Sequence, residues 1–274
     1  MSPEKKIRLQ ARNTLSRNNW PMAVAAVLVA LSAVLAVIYL LSGVDLLFTA
    51  ILDPVIEALN INNDLGEDIS YAGTISSTLT LPFLVMLIPL FMGVIRVFYL
   101  ITKNDEVAFS QVFYYIGRRY FRTLGVFFGV FVRCLWQAAV CFLPSYIGLS
   151  VLTVSTAEKD KLAFSDNIWY FIVYALLFGG ILLFAKLSIR YFLSFFLYFE
   201  DESLSARELC ELSRTYMVRF ESSVMKLILS LFPWILSCIL IIPCLFVLPY
   251  ALTCLATSAK WIIALYHQSE NKDE

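Results

Sequence analysis

Residues Met22–Leu41 read M-A-V-A-A-V-L-V-A-L-S-A-V-L-A-V-I-Y-L-L, without one charge. At 1.5 Å rise per residue, about 20 helical residues cross a hydrocarbon core of about 30 Å. No water reaches the backbone there, so each N–H and C=O needs a partner within the chain, and a helix supplies them all. The run therefore predicts a membrane-spanning helix over about 22–42. No A-x-A-like cleavage pattern ends it, so it is expected to stay as a span rather than leave as a signal peptide.

Further apolar runs predict spans at about 75–100, 123–149 and 168–190. The last, Leu227–Tyr266, is too long for one crossing and carries Pro243 and Pro249 near its middle. It predicts two spans, 227–243 and 249–266, joined by a tight turn between the prolines. A single proline-kinked helix plus an interfacial piece is the alternative, and would leave five spans. The composition agrees with lipid as the solvent: 60% of the chain is hydrophobic and only 15% charged, where soluble domains are about half and about a quarter. The expectation is one integral membrane domain over 1–274, an all-α bundle of about six spans with short interfacial amphipathic helices.

Charge sets the expected orientation. Lys5, Lys6, Arg8, Arg12 and Arg17 precede the first span. Lys103, Arg118, Arg119 and Arg122 edge the second connection, and Lys186, Arg190, Arg207, Arg214, Arg219 and Lys226 the fourth. The opposite side has only Lys159 and Lys161. Cytoplasmic loops retain Lys and Arg, so both termini are expected in the cytoplasm of a cell-membrane protein. The first connection, Gly43 to Gly73, holds Asp45, Asp53, Glu57, Asp64, Glu67 and Asp68 and no basic residue. Its apolar spacing predicts a short helix on the outer surface, then a polar turn at 60–66.

Three polar, partly amphipathic segments lead into outward spans: Ile7–Trp20, Ala108–Phe121 and Ser205–Phe220. In the third, Ser205 and Glu208 have capping-box spacing, and Leu209, Leu212, Tyr216 and Phe220 share a face. In the second, Phe109, Val112, Phe113 and Ile116 are expected on one face. Basic ends on such helices favour anionic lipid.

Ala11–Arg12, Leu15 and Asn18–Asn19–Trp20 resemble the entry motif of a bacterial family of integral membrane proteins known as domain of unknown function 975. Tyr191–Phe192, the acidic Glu200–Asp201–Glu202, Ser213–Arg214 and Met217 are similar to a second stretch of that family, and Pro249–Tyr250 with Tyr266 to its last helix. Val218 stands where that family usually has glycine. The resemblance implies a six-span bacterial inner-membrane protein, with no activity attached.

The sequence argues against an enzyme. The only histidine is His267, so neither a Ser-His-Asp nor a His-based metal site can form. No cofactor motif occurs, and zero net charge gives no case for nucleic acid. The cysteines Cys134, Cys141, Cys210, Cys238, Cys244 and Cys254 contain no C-x-x-C pair, and read as small packing residues. Trp20, Trp169 and Trp261 read as interfacial anchors, Trp136 and Trp234 as deeper packing residues.

What stands out is positive charge inside the spans. Arg133 lies about 16 Å along the helix from Arg122, near the expected bilayer centre, where an arginine costs at least about 2.5 kcal/mol. Gly125, Gly129, Arg133 and Gln137 recur at i+4, so this face should turn into the bundle. Pro82, Pro89 and Arg96 recur at i+7, a kinked face with a basic foot. Two readings stand. Arg133 caps freed carbonyls or hydroxyls on other helices, or Arg133, Arg96 and Gln137 together line a cavity for an anionic headgroup or solute. The expected function is a non-enzymatic membrane protein that binds anionic lipid or assists a membrane complex, and the alternative is a transporter or channel for an anionic or amphiphilic solute.

Overall fold

The structure, a computed structural model, describes residues 3–16, 19–58, 71–103, 107–117, 119–157, 164–239 and 241–273. It is an all-α helical bundle with no strand among the described residues. The helices are α1 Pro3–Ser16, α2 Trp20–Ala58, α3 Tyr71–Lys103, α4 Tyr120–Ala157, α5 Phe164–Ser188, α6 Ser194–Glu200, α7 Ala206–Met217, α8 Glu221–Leu236 and α9 Ile241–Asp273. Short 3-10 turns lie at Phe109–Phe113, Ile189–Tyr191 and Ser237–Ile239. Five segments among the described residues are long and apolar enough to cross a membrane: Trp20–Gly43, Val85–Lys103, Tyr120–Val151, Ile168–Glu200 and Pro243–Gln268. This is a membrane protein.

Three expectations need correction. First, no turn forms between Pro243 and Pro249. The break lies earlier, at the 3-10 turn Ser237–Ile239, and both prolines belong to α9. Pro243 stands in the first turn, where a backbone N–H would have no helical partner anyway, and α9 accommodates Pro249 in its interior. The segment ahead of the break, α8, has 16 residues and is about 24 Å long. It is shorter than a hydrocarbon core and is not among the five. Second, the outer surface helix expected after Gly43 is not separate, because α2 runs unbroken from Trp20 to Ala58. The polar turn expected at 60–66 lies outside the described residues. Third, the segment after Ala108 is a 3-10 turn and not an amphipathic helix. Val112 and Tyr115 are its buried residues, while Phe109, Phe113 and Ile116 are exposed.

The capping box is present. The Ser205 hydroxyl accepts from the Glu208 amide, and the Glu208 carboxylate accepts from the Ser205 amide at 2.7 Å. Each satisfies an amide that a helix start leaves without a partner. The helix then buries Leu209, Cys210, Ser213, Tyr216 and Met217 on one face.

The packing is uneven. The most apolar stretches of α3 and α9 are each 56% buried, whereas those of α4 and α5 are 17% and 11%. α3 and α9 pack on each other, α2 pairs with α3, and α1 lies against α9 and α8. The α4–α5 hairpin packs mainly on itself and meets the rest through α7, the turn Ile189–Tyr191 and α3. Where the feet of the two hairpins meet, Tyr99, Tyr115, Tyr198, Phe196 and Phe199 form an aromatic cluster with ring centroids 5.5–6.4 Å apart. Buried threonines in α9 bond to carbonyls one turn back, Thr253 to Pro249 and Thr257 to Thr253, both at 2.7 Å. That keeps their hydroxyls satisfied in an apolar setting.

The chain after Val107 crosses α3 at Gly93, where a Cβ would fall on the Val112 carbonyl. Backbone cannot yield there as a flexible side chain would. Gly93→Ala is expected to cost at least about 2 kcal/mol by overpacking. Gly125→Ala, with nothing within 4 Å of its added Cβ, should be neutral or stabilising by up to about 1 kcal/mol through helix propensity. Thermal unfolding of both purified variants checks this, and equal melting temperatures would refute the close approach at Gly93.

Candidate functional site

The three residues singled out in the sequence take separate partners. Arg133 donates from Nη1 to the carbonyl of Ala206, the first residue of α7, at 2.9 Å. One turn earlier Gly129 makes room for α7, since a Cβ there would come 2.5 Å from the Ala206 Cβ. One turn later Gln137 donates from Nε2 to the Tyr191 hydroxyl at 3.3 Å. Gly129, Arg133 and Gln137 turn into the protein, Gly129 and Arg133 against α7, whereas Gly125, expected on the same inward face, is exposed with nothing within 4 Å of an added Cβ. The other side of α7 carries an exposed Arg207–Glu211 pair at 3.0 Å. Arg133 thus meets the backbone of a helix whose far side is polar.

Arg96 also has an anion within reach, which the sequence did not supply inside the spans. Its Nη1 lies 3.6 Å from Glu202, and its guanidinium covers the Tyr114 ring at 3.4 Å. Arg119 pairs with the same Glu202 and covers Tyr114 at 4.7 Å. Glu202 belongs to the connection 201–205 between α6 and α7, whose ends are held too. Glu200 accepts from Lys103 at 2.7 Å and from the Tyr99 hydroxyl, and Arg122 donates to the Ser203 carbonyl at 2.7 Å. Cations and a tyrosine from the end of α3, with cations from the start of α4, thus close on one acidic loop. Burial pushes the Tyr115 hydroxyl above its ordinary range against the opposing pull of Arg96. The Ser203 hydroxyl and amide hold Asp201 below the usual carboxylate range, and the Ser205 amide and hydroxyl do the same for Glu208. Both carboxylates thus favour the folded state at neutral pH, and that contribution is lost as pH falls through their lowered values.

Two further contacts complete this end of the bundle. Arg190 pairs with Glu221 at 2.7 Å, and Lys260 donates to the Thr102 carbonyl at 2.6 Å. The second places a cation on the last turn of α3, where carbonyls lack helical partners. Among the described residues no three His, Cys, Asp or Glu side chains gather as metal ligands would.

The cavity with the composition of a binding site lies elsewhere. It has a volume of about 560 Å³ and is lined by Arg8, Arg12, Leu15, Ser16, Trp20, Trp234, Phe246, Val247 and Tyr250. Its geometry follows from α1. Ile7, Ala11 and Leu15 recur at i+4 and are buried, Ile7 and Ala11 against Leu227, Leu231, Ala251 and Cys254. That fixes the rotation of α1 and turns Arg8 and Arg12, also at i+4, towards the cavity. Trp20 opens α2 and stacks on Phe246 at 6.1 Å. The Arg8 Nε is buried without a hydrogen-bond partner. The sequence reading counted Arg8 and Arg12 as orientation charges and Trp20 as an anchor. The signal that marks them as a site is the i+4 arginine pair beside an i+4 apolar stripe and an aromatic residue.

Glu202 is the shared anion of Arg96 and Arg119, whose side chains are 14% and 45% exposed. Glu202→Gln is expected to cost between about 1 and 3 kcal/mol, less than a fully buried pair because Arg119 is half in water. Arg207→Gln, which breaks only the exposed pair on α7, should leave the melting temperature nearly unchanged. Equal shifts in the two variants would show that the clasp contributes no more than a surface ion pair. No family model, curated protein or solved structure matches this chain.

Proposed function

We propose that the chain is a non-enzymatic inner-membrane protein that binds an anionic amphiphile in the cavity between α1, α8 and α9. The observation that carries this is the pair Arg8 and Arg12, one helical turn apart on α1, lining a cavity whose other walls include Trp20, Trp234 and Phe246. A carboxylate or phosphate takes charge-assisted bonds from guanidiniums. The aromatic wall suits an apolar tail. The volume lies within the range of small-molecule sites, about 300–1,000 Å³. Both termini on the cytoplasmic side would put the arginines near the leaflet that carries anionic lipid. Membership of the bacterial family that the chain resembles is part of the same proposal.

Native mass spectrometry of the full chain, released from a membrane mimic, tests it. The wild type should retain an anionic amphiphile, and Arg8→Gln with Arg12→Gln should lose most of it. Arg133→Leu, which alters a contact between α4 and α7, should retain it. Identical bound species on the wild type and the double variant would overturn the cavity as a binding site.

A further inference from the structure

We propose that α8 and α9 form a re-entrant hairpin whose apolar tip docks on one lipid leaflet, at the face where α2 enters the membrane, and that neither helix crosses. Both open ends of the hairpin lie at one face. α8 starts at Glu221, which pairs at 2.7 Å with Arg190, just after α5. α9 returns to Lys260, which donates to the Thr102 carbonyl in the last turn of α3, and Tyr266 stacks on Tyr216 of α7 at 3.7 Å. Between these ends the helices run antiparallel, with Phe220 against Trp261 at 5.8 Å and Leu227 and Leu231 against Ala251 and Cys254. Such a hairpin crosses twice or not at all. α8 has 16 residues, about 24 Å of helix, where a hydrocarbon core needs about 30 Å.

α1 sets the level of the tip. Glu4, Lys5, Lys6, Arg8 and Arg12 fall within its 14 residues. Each such charge costs about 2.5–3.5 kcal/mol at the centre of a bilayer, so this helix lies outside the hydrocarbon. Ile7 and Ala11 rest on the middle of the hairpin, at Leu227, Leu231, Ala251 and Cys254. Leu15 and Ser16 share the cavity with Trp234 and Phe246 nearer the tip, and Trp20 stacks on Phe246 at 6.1 Å. The uncharged run Met22–Leu41 begins two residues later. The tip therefore stands where the first span begins, whereas a crossing hairpin would carry it to the far face. Exposed Phe232, Trp234, Ile235, Leu236 and Phe246 gather at that end, and an apolar patch with tryptophan beside the entry of a span suits the interfacial layer of a leaflet. The Ser237 hydroxyl and the Cys238 thiol both donate to the Trp234 carbonyl, at 2.6 and 3.9 Å, so an acceptor freed by the end of α8 is satisfied without water. The other long apolar segments lie in α2, α3, α4 and α5. Their even number leaves the start of α2 and the end of α5 on one face, as the hairpin requires.

Val218, Phe232, Leu236 and Phe246 are exposed, so a genetically encoded nitroxide at each disturbs no packing. The full chain is placed in liposomes of phosphatidylcholine and phosphatidylglycerol. Power-saturation electron paramagnetic resonance then compares collision with oxygen, which concentrates in the bilayer, and with a nickel chelate, which stays in water. The oxygen-to-nickel ratio is expected below one at Val218, to rise at Phe232, and to exceed one at Leu236 and Phe246. A maximum at Phe232 with a return below one at Leu236 would show a crossing, and values below one at all four positions would place the tip in water. Either result overturns the proposal. Loss of collision with both reagents at Leu236 and Phe246 would show a protein partner over the tip, and would overturn it too. The native Cys238 gives a second reading. In sealed vesicles of either orientation, a membrane-impermeant maleimide should leave Cys238 unmodified from the face opposite to the one that modifies Val218→Cys. Modification of Cys238 from that opposite face would refute the re-entrant path.

Discussion

A guanidinium taken out of water requires an anion, a ring face or a carbonyl within reach, and the arrangement of this protein follows from how its arginines meet that demand. Arg96 stands on a helix whose apolar stretch is 56% buried. The chain brings Glu202 and Tyr114 to it from two different connections. Arg119 approaches the same pair from the start of α4. Because α3 and α4 belong to different hairpins, this shared carboxylate joins two units that otherwise touch little. The acidic loop acts as a counter-ion common to both feet, and the aromatic cluster packed beside it gives the junction its apolar area.

The spans were legible because the bilayer demands length and apolarity, and both can be counted along a chain. Met22–Leu41 alone predicts a helix, and α2 contains it. The capping box was legible for the same local reason: Ser205 and Glu208 satisfy amides three residues apart and need nothing distant. What failed was tertiary. Pro243 and Pro249 look like a turn in sequence, but a proline in a first turn loses no hydrogen bond, so nothing local decides whether the helix starts before or after it. The stretch after Ala108 has helical apolar spacing, yet it meets Gly93 of α3, and contact with that backbone shapes it into a 3-10 turn that buries Val112 and Tyr115. The spacing could not report Gly93.

The same division runs through the site. That Gly129, Arg133 and Gln137 turn inward followed from the cost of an arginine in lipid, while Gly125 on the same predicted face stays exposed. Which partner Arg133 meets did not follow, because α7 lies more than 70 residues away along the chain. The counter-ion of Arg96 did not follow either, because Glu202 reaches it from a connection and not from a span. Arg8 and Arg12 were visible throughout, but charge counting assigns a basic residue to a side of the membrane without asking which way it points. Only the buried stripe Ile7–Ala11–Leu15, read as a constraint on rotation, turns a topological charge into a site.

That stripe also bears on what the cavity does to stability. α1 is held on α8 and α9 by small and medium apolar side chains, and the same docking carries Arg8 Nε into a place without a partner. The apolar contacts draw the helix in, and desolvation of the arginine opposes them. On the proposed reading, an anion held by Arg8 and Arg12 would link occupation of the cavity to docking of α1: whatever binds the docked form more tightly than the undocked form stabilises the docked form.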